Sequence, residues 1–191
     1  MPHSFDIEGT KERLLVLQHL CHGNRSFCKE FRIGRVIEEV LEYEWYEYYA
    51  FLKHSVSEHL INCAIKLRML QDSVKADEQK VDFEKIDRQA RKGLKIGKFL
   101  SGGNRLNLRE ACNKIIHATD ARLEWCPLDS KTSTKENEPE FWTGMIFLYG
   151  TKGPTKWEIE LNVPDFCVAL FRLVRSLEEE VNWDSLYKYD E

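Results

Sequence analysis

Residues 109–117 combine a cation, an amide and an imidazole at helical spacing. Arg109, Asn113 and His117 stand at i, i+4 and i+8 in Arg109-Glu110-Ala111-Cys112-Asn113-Lys114-Ile115-Ile116-His117. On a helix this spacing sets them along one face while the apolar residues pack on another. Such a set suits phosphodiester chemistry. An imidazole with a reference pKa of about 6.5 exchanges a proton near neutrality, a guanidinium neutralises charge building on a phosphate, and an amide orients it. His117 then serves as general acid or base, Arg109 as phosphate clamp and Asn113 as positioning group, with Lys114, Arg105 and Lys98 as substrate-binding cations. A structural reading stands beside this one: a histidine at a helix end caps carbonyls, and Arg109 and Asn113 lie on a solvated face.

Other clusters fit known chemistry less well. His19, Cys21, His22 and Cys28 invite a zinc reading, but no matching second ligand pair is present, and six residues separate the cysteines where two to four are usual. His54, Glu58 and His59 match neither zinc-protease spacing. The stretch from Gly97 to Asn104 has two glycines of a phosphate loop but lacks its Lys and Ser or Thr. No metal site and no cofactor is expected. Asn24-Arg25-Ser26 fits the glycosylation sequon, which is idle without an export signal.

The phrase Asn113-Lys114-Ile115-Ile116-His117 resembles the second half of the signature of the HEPN superfamily, in which an Arg is followed after four to six residues by His. Cys112 stands where that family places its Arg, and Arg109 lies one helical turn upstream, with seven residues between it and His117. The resemblance implies a helical bundle, often dimeric, and a metal-independent ribonuclease of toxin-antitoxin or phage-defence type acting on RNA.

The elements that must position these residues follow from periodicity. Between Gly34 and Gly93 there is neither Gly nor Pro, which marks a long helical region. Val56, Leu60, Cys63, Leu67, Leu70 and Val74 recur at spacings of four and three, and Ile37, Leu41, Trp45 or Tyr48, and Leu52 extend the stripe upstream. An unbroken helix over 35–74 would reach about 60 Å, so a bend or break is expected near His54 and Ser55. Further helices are expected over 10–22, ended by Gly23-Asn24, and over 82–94, with Asp82 as N-cap. A loop is expected over 95–105, and then a helix capped by Asn107 that carries Leu108, Ala111, Cys112, Ile115 and Ile116 to about residue 118. The period then changes to two. Strands are expected over 122–126, 141–149 and 156–161, with a mobile polar loop over 127–139 and a turn over 150–154. A helix from Pro164-Asp165 carries Phe166, Ala169, Leu170, Leu173, Val174 and Leu177, and an acidic tail follows from Trp183. The fold class is mainly α (α+β): an HEPN-like helical bundle over 1–120, then over 121–191 a small antiparallel sheet with a packed C-terminal helix, the two forming one compact unit.

Composition bounds the function. The 191 residues are 42% hydrophobic and 12% aromatic, with a formal charge of −4. That average excludes binding of nucleic acid by bulk positive charge. Counted by segment, however, 36–58 has six acidic residues against one basic, whereas 80–122 has eleven basic against five acidic. Either the basic block attracts phosphate or it docks on the acidic helix, within the molecule or across a dimer. The run Tyr43, Trp45, Tyr46, Tyr48, Tyr49 and Phe51 offers more rings than one small core can take, so Tyr43, Trp45, Tyr46 and Tyr49 form a candidate protein interface. The interleaved Glu42, Glu44 and Glu47 argue against base stacking. Six scattered cysteines read as reduced thiols. No apolar run approaches a membrane span and Met1 to Thr10 lacks the pattern of an export signal, so a soluble, cytoplasmic protein is expected. Two functions therefore stand: an RNA-directed HEPN-like protein, or a non-catalytic interaction protein that pairs with itself or acts as a subunit of a larger complex.

Overall fold

The computed structural model describes residues 5–34, 43–128 and 139–187. Its elements run α1 (Ile7–Glu30), α2 (Trp45–Ala76), α3 (Phe83–Ala90), β1 (Gly97–Ser101), α4 (Leu108–Ile116), β2 (Asp120–Pro127), β3 (Glu140–Lys152), β4 (Thr155–Asn162), α5 (Val163–Glu180) and α6 (Trp183–Tyr187). The class is α+β. The four strands form one antiparallel sheet in the order β1-β4-β3-β2.

The long helices obey the expected stripe. Leu52, Val56, Leu60, Cys63, Leu67, Leu70 and Val74 are all buried along α2, which packs against α1 and α4. Asp82, Asn107 and Asn162 cap α3, α4 and α5, accepting from the amides of Lys85, Glu110 and Asp165. The apolar face of α5 is buried against α1, α3 and the sheet. Alternation along β3 buries Trp142, Ile146 and Leu148, and β4 adds Trp157, Ile159 and Leu161 to the same core. That core is continuous from α1 and α2 through the sheet to α5.

Four expectations need correction. α2 runs unbroken through His54 and Ser55 for 32 residues. Nothing inside it removes a backbone donor, and the outward-facing His54 costs only helix propensity. The upstream stripe at Ile37 and Leu41 lies outside the described residues. α1 does not stop at Gly23-Asn24 but continues to Glu30. Asn24, 3% exposed, turns its amide onto the sheet: its Nδ2 donates to the Trp142 carbonyl at 3.0 Å, and the Trp142 amide donates to its Oδ1 at 2.9 Å. A side chain so held is no glycan acceptor. α3 ends at Ala90 and α4 at Ile116, each shorter than periodicity predicts.

The fourth correction concerns 95–105. The expected loop contains β1, an edge strand paired with β4. Gly97 enters it at φ +139°, where a Cβ would collide with the Glu160 carbonyl, a conformation and an approach that favour glycine. The sheet thus draws one strand from the segment expected to be bundle. The turn over 150–154 tightens to Gly153-Pro154, since pairing continues to Lys152 with Thr155. Residues 129–138 of the polar loop and 188–191 of the tail lie outside the described residues. Among the described residues, no helix is long and apolar enough to cross a membrane.

Candidate functional site

Arg109, at the start of α4, reaches back to α2. Its guanidinium donates to Gln71 Oε1 at 2.8 Å and to Asp72 Oδ1 at 3.0 Å. Asp72 also accepts from Arg68 at 3.1 Å, so two guanidiniums share one carboxylate. Asn113, one turn on, is drawn to Glu110, with Nδ2 to Oε2 at 3.4 Å. His117 follows the last turn of α4: its amide donates to the Asn113 carbonyl and its ring is exposed. Eight residues of helix separate Arg109 from His117 by about 12 Å along the axis and roughly 80° around it. The three therefore do not converge within one chain.

The predicted substrate cations also divide. Lys114 is 7% exposed and its Nζ lies 4.4 Å from the Trp157 ring centroid and 5.5 Å from that of Phe99, with Glu110 Oε1 at 3.4 Å. This ammonium fastens α4 to β1 and β4. Lys98 points to the other face of the sheet, 3.5 Å from Glu160. Arg105 does join Arg109: both line a small polar cleft, together with Gln71, Phe83, Glu84, Asp87, Arg88 and Asn107.

The aromatic run divides as well. Trp45 and Tyr49 stack on each other at 5.0 Å and meet Trp125 of β2 at 5.7 and 6.0 Å, so they dock the start of α2 onto the sheet. Tyr46 is 73% exposed, and Tyr43 is also exposed. Between α1 and the start of α2 lies a groove of about 570 Å³, lined by His19, Leu20, Gly23, Asn24, Phe27, Tyr43, Glu47, Tyr48 and Phe51. Its floor is ordered by aromatic contact: Phe27 stacks on Tyr48 at 4.9 Å and meets Tyr43 at 5.4 Å. Burial raises the Tyr48 phenol above its usual pKa, and neighbouring Cys28 adds to the shift. Phe51, 56% exposed, stands at the rim.

The α1 side of this groove was missed by sequence reasoning. Leu20 and Phe27 stand at i and i+7, a helical stripe that becomes visible once Gly23-Asn24 is not taken as a stop.

The remaining clusters carry no site. His22 contacts Gln18, and His19 lies against the Leu15 carbonyl. Among the described residues, no group of three or more His, Cys, Asp and Glu is placed to hold a metal ion. All six cysteines are unpaired. Comparison of the chain with models of protein families, with curated proteins and with solved structures finds no match.

Proposed function

We propose that this chain is a non-catalytic interaction protein whose aromatic groove takes an amphipathic, cationic segment of a partner protein. The observation that carries the reading is the groove itself: an apolar trough between α1 and α2, rimmed by exposed Tyr43 and Phe51. Protein interfaces are enriched in Tyr, Trp and Phe, and an apolar trough of this kind suits the hydrophobic side of a helix. Charge selects the partner. Glu47 lines the groove and Glu44 stands at the N-cap of α2. A partner with Lys or Arg beside its apolar stripe is therefore favoured over an acidic one.

The test uses two labelled helical peptides with the same Leu stripe, one with lysines and one with glutamates on its polar face. Fluorescence anisotropy should register saturable binding of the lysine peptide only, lost in Phe51→Glu. Equal binding of both, unaffected by Phe51→Glu, would overturn the reading.

A second reading keeps the chain among HEPN-like, metal-independent ribonucleases of toxin-antitoxin or phage-defence type. The exposed His117 imidazole favours it. Arg109, Asn113 and Lys114 each hold other protein groups, which is why this reading ranks second. Cleavage of labelled RNA in EDTA by the parent but not by His117→Ala would support it; equal inertness of both would remove it.

A further inference from the structure

The cleft around Arg105 and Arg109 lies apart from the aromatic groove and has the opposite electrostatic character. It is a polar recess of about 170 Å³ among α2, α3 and the start of α4, with Arg88, Arg105 and Arg109 in its lining. Two carboxylates share that lining, and one of them is already engaged. Asp87 holds Arg91 through Nε at 2.9 Å and accepts the Leu108 amide at 2.8 Å. Arg109 is fixed in place by Gln71, itself buried, and by Asp72, which Arg68 also engages. Among the described residues, neither Arg88 nor Arg105 has a carboxylate within ion-pair distance, and the sharing of Asp72 leaves further positive charge beside them.

From this arrangement we infer that the cleft binds a single phosphate group, with Arg88 and Arg105 as the binding cations and Arg109 as a pre-set third. Guanidinium groups match the oxygens of a phosphate by paired N–H donation, and five donors on each leave several free even on the anchored Arg109. The helix terminus is not the ligand site: Asn107 takes the Glu110 amide and Asp87 takes that of Leu108. The attraction comes from side chains converging on a recess, and its size suits one tetrahedral anion. Phosphate of either source, a small phosphorylated molecule or a nucleic-acid backbone, presents the same chemistry to it.

The test is a titration of the full chain with sodium phosphate, against sodium chloride at equal ionic strength, followed through the amides of Asn107 and Arg109 and the Arg side-chain N–H signals. Phosphate should produce saturable shifts that chloride does not. The Arg88→Gln, Arg105→Gln double variant, whose changed side chains are exposed, should bind about tenfold more weakly or worse, a loss of at least about one charge-assisted contact. Lys85→Gln, Lys92→Gln carries the same change of charge nearby and should bind as the parent does. Equal weakening in both double variants, or equal shifts with chloride, would reduce the effect to diffuse charge and overturn the site. A short single-stranded RNA in the same titration separates the sources: perturbation of the same amides, lost in the arginine variant, assigns a backbone phosphate. Phosphate binding without a response to RNA assigns a small ligand.

Discussion

Asn24 carries more of the architecture than its place in the middle of α1 would imply. Its amide donates to and accepts from the backbone of Trp142, joining the first helix to β3 in the buried interior. Asn24→Ala leaves a buried N–H and a buried carbonyl unpaired, and should lower stability by about 2–3 kcal/mol in urea unfolding. Asn24→Asp keeps the acceptor but not the donor and should also destabilise, since it introduces a charge into the core. Lys114 is the second residue whose role is set by its surroundings. Lys114→Met preserves the apolar stem between Trp157 and Phe99 and should cost about 1 kcal/mol, the scale of a cation–π contact. Lys114→Glu faces both rings and Glu110 with a carboxylate, and its unfolding midpoint should fall further than that of the methionine variant.

At the scale of elements, the sheet edge is the sensitive place. β1 is five residues long and joins β4 through Gly97, whose φ of +139° and closeness to Glu160 leave no room for a Cβ. Gly97→Ala should cost about 1–3 kcal/mol and accelerate hydrogen exchange at the β1–β4 pairs while leaving β2 and β3 protected. Unchanged protection at β1 would refute this account of the edge. Much of the element order is legible in the sequence, because α2, α4 and α5 each show their apolar period and α4 its capping Asn107. Two features are not. The continuation of α1 depends on Trp142, which lies 118 residues away in sequence and pairs with Asn24. β1 alternates too briefly to register as a strand until β4 supplies its partner.

For the molecule as a whole, the thiols give a pH signature. Burial pushes Cys21, Cys28 and Cys63 up to about 12. Unfolded, the same groups ionise at about 8.5. Above that value the unfolded state gives up protons that the folded state keeps, so stability is full below it and is lost as pH rises toward the folded pKa. Unfolding free energies from urea titrations should therefore fall steadily above about pH 9, by up to about 1.4 kcal/mol per pH unit for each such thiol. In Cys63→Ala the decline should be shallower than in the parent; an equal slope would show that Cys63 does not contribute.

By itself the sequence determined the helical stripes, the caps at Asp82 and Asn107, the change of period to an antiparallel sheet, and the division of charge into an acidic and a basic segment. These are local properties, set by residue type over a few turns or one strand. Only the tertiary structure decided which of the chemistry-bearing residues meet. It tied Arg109 to Gln71 and Asp72, placed Lys114 against two rings, brought Arg88 to the cleft of Arg105 and Arg109, and set Phe27 opposite Tyr48 in the aromatic groove. The physical reason is that a helix fixes the spacing of its own residues, whereas convergence depends on which neighbouring element presents a carboxylate, a ring or a carbonyl at the same height.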